Sequence, residues 1–172
     1  MSTEPDSSRT TTAAVPTPRA GRALLVRTLV GFWALWWSLV FLTNAFDGLV
    51  ELGVLGDGWA FASGNYQFLR SITAVYALPE PAVAVIFGIG VLWELAVAIL
   101  CWRALVAVAC DPFDLAPVYL AFVPAVGFFA AFTLLTELFL AYDLAGTHVG
   151  LFVATLLTLV AIELVVSGRG DR

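Results

Sequence analysis

A stretch of twenty-one residues, Ala82 to Trp102, is apolar except for one carboxylate, Glu94, near its middle. About 20 apolar residues are enough to cross the hydrocarbon core of a bilayer as one α-helix. On biological insertion scales Leu, Ile, Val and Phe each favour insertion by about 0.3–0.6 kcal/mol, and one central carboxylate costs about 3 kcal/mol. The stretch is therefore predicted to span a membrane, with Glu94 in need of a protein partner.

The composition extends this prediction to the whole chain. Of its 172 residues 61% are hydrophobic and only 12% are charged, whereas soluble domains carry about 25% charged residues. Four spans are predicted, at about residues 28–46, 82–102, 118–142 and 149–166. They form an all-α, four-helix transmembrane domain over residues 23–167. Residues 1–22, rich in Ser, Thr, Pro and Ala, are predicted to be a disordered tail, and residues 168–172 a second short tail.

The arginines predict the orientation. The chain has eight Arg and no Lys, and an even number of spans places both termini on one side. With the termini in the cytoplasm, seven arginines are cytoplasmic and only Arg70 is outside, as the positive-inside rule requires. The seven are Arg9, Arg19, Arg22, Arg27, Arg103, Arg169 and Arg172. We therefore expect a multi-pass protein of the cell membrane whose first partner is the lipid bilayer. The chain has no basic patch for nucleic acid.

The connection between the first two spans, about residues 47–81, contains a predicted short helix. Tyr66, Leu69, Thr73 and Tyr76 recur at helical spacing between Asn65 and Ala77. An amphipathic helix on the membrane surface is the interpretation we favour from the sequence. A lid over a site at the outer membrane face is the alternative.

Ionisable and polar residues inside a membrane are expensive and mark sites of function or packing. Gly90, Glu94 and Ala98 lie on one stripe of the second span, and small neighbours favour close helix approach, so Glu94 is expected to face the bundle interior. The predicted polar cluster, mostly near the outer face, comprises Asn44, Asp47, Glu94, Glu137, Tyr142 and His148.

Three interpretations of this cluster stay open. Asp47, Glu137 and His148 would form a one-histidine, two-carboxylate site for a transition metal if three helices brought them together. The cluster would otherwise accept protons for a redox partner or a transported ion. In the third interpretation, the cluster supplies only the interhelical hydrogen bonds that fix the packing of the bundle. The sequence identifies no cofactor.

The second span and the arginine after it, GIGVLWELAVAILCWRA, resemble the DoxX-like family of small bacterial four-helix membrane proteins. In that family the second span tends to carry a Glu amid glycines and leucines and to close with an Arg, here Glu94 and Arg103. The layout over about residues 27–166 is also similar, although the first span has FLTNAFDGL in place of the family's glycine- and histidine-containing pattern. The resemblance implies a bacterial inner-membrane subunit associated with redox or quinone-linked complexes.

Three functions follow as hypotheses. The first is a non-catalytic or accessory subunit of a membrane complex, with a complex partner or a second copy of the chain beside it. The second is an enzyme or electron-transfer module that uses Asp47, Glu137 and His148 under the outer loop. The third is a small oligomeric transporter in which Glu94 is the proton-coupled carboxylate.

Overall fold

The structure, a computed structural model, describes residues 17–168. Within this range five α-helices follow one another without a strand. They are α1 (Pro18–Glu51), α2 (Asn65–Thr73), α3 (Glu80–Cys110), α4 (Ala116–Leu138) and α5 (Ala145–Ser167). The predicted all-α class is therefore confirmed.

Four of these helices are long and apolar enough to cross a membrane. They are α1, α3, α4 and α5, the last together with the turn before it. The mean hydropathy of their most apolar windows lies between 1.7 and 2.5. The four predicted spans fall on these helices one by one, and much of their surface presents large apolar side chains to the outside. Such a surface is suited to lipid, so the chain is a multi-pass membrane protein.

The packed core of the bundle lies in the half that contains the start of α1 and the end of α3. Helix α1 packs chiefly on α3, and α4 packs on both α3 and α5. Trp33 and Trp37 are almost completely buried among Phe122, Phe128 and Phe129. Their rings meet mainly edge to face or tilted, as aromatic pairs prefer. The tryptophans of the first span therefore pack the interior and do not form an interfacial belt.

The helices extend beyond most of the predicted span ends, with α1 reaching Glu51 and α3 reaching Cys110, and two boundaries have a clear local cause. Helix α1 begins at Pro18, inside the segment predicted to be a disordered tail, because Thr17 accepts a hydrogen bond from Ala20 N at 3.3 Å and Pro18 suits the first turn. Helix α4 ends at Leu138, before the predicted 142, because Leu140 adopts a left-handed φ of 56°. The rest of the two predicted tails, residues 1–16 and 169–172, lies outside the described residues.

Arginines hold the end of the bundle where the described chain begins and ends. Arg27 donates from Nε to Val108 O at 3.0 Å and from Nη2 to Ala109 O at 2.9 Å. Arg22 donates from Nη1 to Gly168 O at 3.2 Å. The last carbonyls of a helix have no partner within the helix, so a cationic donor stabilises them. These bonds place the start of α1, the end of α3 and the end of α5 together.

Arg27→Gln is expected to lower the free energy of unfolding by about 1–2 kcal/mol, because two charge-assisted hydrogen bonds to the end of α3 are lost. Thermal unfolding in detergent measures the change. Arg103→Gln is the matched control, since Arg103 is an exposed arginine of α3 that lies before the last turn of the helix. Equal losses in the two variants would show that the Arg27 bonds contribute nothing of their own.

Candidate functional site

A cavity of about 450 Å³ occupies the half of the bundle opposite to the packed core. Its size lies within the range of about 300–1,000 Å³ that is usual for sites of small organic ligands. Aromatic rings form much of its wall: Trp36, Phe87, Phe128, Phe129, Phe132 and Phe139. A few polar side chains line it as well: Asn44, Asn65, Glu94, Thr136, Thr147 and His148.

Glu94 lies in the wall of this cavity, near the middle of α3. Its side chain is 4% exposed, so the prediction that it faces the bundle interior is confirmed. Asn44 of α1 donates from Nδ2 to Glu94 Oε1 at 2.7 Å. The other carboxyl oxygen, Oε2, is buried and has no hydrogen-bond partner among the described residues. The carboxyl group is therefore held at one oxygen and unsatisfied at the other.

The orientation of the Asn44 amide follows from its surroundings. Its Oδ1 accepts a hydrogen bond from Ser63 Oγ at 2.6 Å and from Asn65 Nδ2 at 2.8 Å. With two donors at the oxygen, the amide nitrogen has to face Glu94. A side-chain amide does not relay protons in the way a hydroxyl or water does, so this chain of bonds fixes the position of Glu94 and does not conduct protons to it.

Asp47, one turn further along α1, anchors the start of α2. Its Oδ2 accepts a hydrogen bond from Tyr66 N at 2.7 Å and lies 3.1 Å from Ser63 Oγ. The N-cap residue of α2 is Gly64, whose φ of 75° suits glycine and which offers no side-chain cap. The carboxylate of Asp47 supplies both the missing acceptor and a negative charge at the positive end of the helix.

Helix α2 covers the cavity. Its Phe68, Leu69 and Ile72 belong to the cavity wall. The helix is held to the start of α3 because Glu80 accepts from Tyr66 OH at 2.7 Å and pairs with Arg70 at 3.1 Å. The sequence left two interpretations of this helix, a lid over a site and an amphipathic helix on the membrane surface. The structure favours the lid.

The Glu80 contact raises the pKa of Tyr66 to about 12, chiefly because the carboxylate accepts the phenol hydrogen bond. The pKa of Tyr66 in the folded protein lies above the usual value of about 10. The hydrogen bond from Tyr66 to Glu80 therefore stabilises the fold fully below pH 10. This stabilisation of the fold is lost as the pH rises towards 12.

We expect one tyrosine to ionise later than the others in an absorbance titration at 295 nm. Tyr66→Phe should remove that late component, and Glu80→Gln should move it towards the others. A titration unchanged by both variants would contradict the assignment.

His148 lines the cavity from the side of α5. Its Nδ1 lies 2.8 Å from Thr136 Oγ1 of α4, and the Thr136 hydroxyl donates to Phe132 O at 2.8 Å. Because a hydroxyl carries one proton, Nδ1 of the histidine is the donor in this pair. The edge of the imidazole also meets the Phe132 ring, with centroids 5.3 Å apart. His148 therefore pairs with Thr136 of α4 and not with the predicted carboxylates.

The structure brings together only part of the predicted cluster. Asn44, Asp47 and Glu94 belong to one hydrogen-bonded network, while Glu137 and Tyr142 are exposed on the surface. Over residues 17–168 no three side chains of His, Cys, Asp or Glu are grouped closely enough to hold a metal ion. The Asp47, Glu137 and His148 set proposed from the sequence as a metal site is therefore not assembled.

Four polar residues of the site were missed by the sequence interpretation: Ser63, Asn65, Thr136 and Thr147. Ser63 and Asn65 precede Tyr66, where the helical periodicity of α2 begins, so no pattern indicates which way their side chains turn. Thr136 precedes Glu137, and neighbouring positions on a helix point about 100° apart. The helix that buries Thr136 therefore exposes Glu137. Asn44, Asp47 and Glu94 of the network were among the residues that the sequence predicted.

Comparisons with protein-family models, curated proteins and solved structures found no match to this chain. The resemblance to DoxX-like proteins therefore stays a prediction.

Proposed function

We propose that this chain is a membrane-embedded binding subunit whose cavity takes a small, largely apolar molecule. The observation that carries the proposal is the cavity itself, with a buried carboxyl group in an otherwise mainly apolar wall of aromatic and aliphatic side chains. Concave, mostly apolar sites with a few placed polar groups are the usual form of small-molecule sites, and helix bundles build them between their helices. The polar groups would orient the ligand, and the apolar side chains would supply most of its contacts.

The contrast between the two halves of the bundle supports this proposal. Trp37 and Phe122 fill one half without exposure, whereas the other half leaves a space of about 450 Å³ under α2. Protein interiors normally close such spaces, since each void loses packing contacts. Polar side chains from α1, the connection and α3 fix the cover and Glu94 around the space. That arrangement is suited to keeping a site open.

The proposal agrees with the hypothesis of an accessory subunit in the cell membrane. We place the cavity half on the outer side and both termini in the cytoplasm, on the evidence of the arginines. The link to a redox or quinone-linked complex of a bacterial inner membrane depends on the DoxX-like resemblance alone. Asp47, Glu137 and His148, the reacting groups of the enzyme hypothesis, are not grouped over residues 17–168, so we propose binding without catalysis.

Gly90→Phe tests the proposal. Gly90 lines the cavity, and a Cβ added there meets no atom within 4 Å, so a phenyl group has room to enter. Gly88→Phe is the matched control, because its Cβ also meets no atom within 4 Å but the residue does not line the cavity. The protein would be extracted in native-membrane nanodiscs, and its bound small molecules identified by mass spectrometry.

We expect a small apolar molecule to accompany the unchanged protein and Gly88→Phe, and to fall at least ~10-fold in Gly90→Phe, where the ring fills the binding space. Thermal unfolding checks that both variants fold. The proposal would be wrong if all three proteins carried the same molecules in the same amounts, or if none carried any.

A proton-coupled transporter is the second candidate, favoured by one observation. Glu94 has a buried, unpartnered oxygen in the cavity wall, and intramembrane carboxylates of this kind serve proton relays in transporters. Proteoliposomes with an imposed pH gradient would test it with the molecule that the mass spectrometry identifies. Gradient-driven uptake that is lost in Glu94→Gln would favour transport. Uptake that is absent, or unchanged by the variant, would leave binding alone.

A further inference from the structure

One oxygen of Glu94 indicates what kind of polar group the ligand carries. Oε1 accepts from Asn44, but Oε2 is buried and finds no donor among residues 17–168. More than nine-tenths of buried polar groups in proteins have a hydrogen-bond partner, so each exception calls for a cause. Because Glu94 lies in the cavity wall, the cause we consider is a donor that the occupant brings.

We infer that Glu94 binds its ligand in the carboxylate form, and that the ligand is an aromatic ring with a hydrogen-bond donor, such as a ring hydroxyl, which it directs to Oε2. This inference rests on the proposed function and adds the chemistry of the ligand to it. The same ring with only an acceptor, or with no polar atom, is expected to bind less well, because it leaves the carboxyl oxygen unsatisfied.

The aromatic part of the cavity wall is suited to an aromatic ligand. The rings of Phe128 and Phe132 stack with their centroids 4.5 Å apart, and the ring centroids of Trp36 and Phe129 lie 5.7 Å apart. Aromatic rings contact one another favourably in offset and edge-on arrangements with centroids about 4.5–7 Å apart. A flat ring placed among these side chains would continue the same pattern of contacts.

The Asn44 amide allows the polarity of the site to be reversed. Ser63 and Asn65 fix Asn44 Oδ1, so Asn44 Nδ2 has to donate to residue 94. In Glu94→Gln the new amide oxygen would therefore face Asn44, and its NH₂ group would take the place of Oε2. The variant keeps the size of the side chain but presents a donor where the unchanged protein presents an acceptor.

Three matched probes test the inference: 2-naphthol, 2-methoxynaphthalene and 2-methylnaphthalene. They carry a donor, an acceptor without a donor, and no polar atom, respectively. Binding to protein in nanodiscs would be measured by saturation-transfer NMR, and the signal with Gly90→Phe would be subtracted as partition into lipid. We expect 2-naphthol to bind the unchanged protein ~10-fold more tightly than either other probe. In Glu94→Gln the preference should pass to 2-methoxynaphthalene.

The possible failures are distinguishable. If all three probes bind equally, the cavity binds rings but Glu94 does not select a donor, and the inference is overturned while the proposed function stands. If 2-methoxynaphthalene equals 2-naphthol in the unchanged protein, Glu94 acts as the donor and the inference is again overturned. If no probe binds above the Gly90→Phe level, the proposed function fails as well.

Discussion

Trp37→Ala is expected to lower the free energy of unfolding by about 3–5 kcal/mol, the usual range for a large aromatic residue removed from a core. Trp37 is fully buried, with ring centroids 5.1 Å from Phe128 and 5.2 Å from Phe129. In a bilayer the hydrophobic effect does not draw helices together, so packing contacts of this kind carry much of the association. Unfolding by denaturing detergent, followed by circular dichroism, measures the loss.

Two further variants separate packing from polarity at this position. The indole nitrogen of Trp37 has no hydrogen-bond partner among the described residues, so Trp37→Phe removes an unsatisfied donor and keeps an aromatic ring. Its expected change is within about 1 kcal/mol. Leu39→Ala changes a side chain of α1 that is 55% exposed to lipid, and it should cost less than about 1 kcal/mol because lipid fills the space. A loss in Leu39→Ala as large as in Trp37→Ala would contradict the packing of α1.

Asn44→Leu is expected to destabilise the protein by about 3 kcal/mol and to loosen α2. The change leaves Glu94 Oε1 without its donor, and Ser63 and Asn65 without their shared acceptor. Each buried polar group left without a partner costs about 1–3 kcal/mol. Hydrogen exchange with mass spectrometry would show the local effect as faster exchange of the α2 amides.

Thr43→Val is the control for Asn44→Leu. Thr43 is the preceding residue, and its hydroxyl donates only to Val40 O within its own helix, at 3.0 Å. Its loss should cost no more than about 0.5 kcal/mol and leave exchange of α2 unchanged. If Asn44→Leu also left α2 exchange unchanged, the network from Glu94 to the cover would not hold the cover in place.

The sequence predicted the helices well because a membrane places one simple requirement on each span. Each span needs about 20 apolar residues, and such runs are visible without any knowledge of the neighbours. The inward direction of Glu94 was also predictable, since Gly90 and Ala98 lie on its stripe. These are properties of single helices, and a single helix can be interpreted from its own residues.

The site was only partly predictable because it depends on contacts between helices. Asn44 and Asp47 were expected near the outer face, but nothing in the sequence pairs Asn44 with Glu94, fifty positions away. Glu137 shares a stripe with the small residues Ala130, Thr133 and Ala141, which predicted an inward direction, but it is exposed. In a helix that is apolar all round, such a stripe does not decide which face packs. The cavity is a volume left between five helices, which no local pattern describes.

We propose four membrane crossings that put the cover of the cavity and the two ends of the described chain on opposite sides of the membrane. Labelling with a membrane-impermeant maleimide in intact cells tests this most directly, with Cys101 and Cys110 replaced by alanine. Ser71→Cys places a thiol on α2, and Asp114→Cys places one between α3 and α4, both at exposed positions. We expect the thiol at 71 to label in intact cells and the thiol at 114 to label only after the membrane is permeabilised. Equal labelling of both thiols in intact cells would contradict the account.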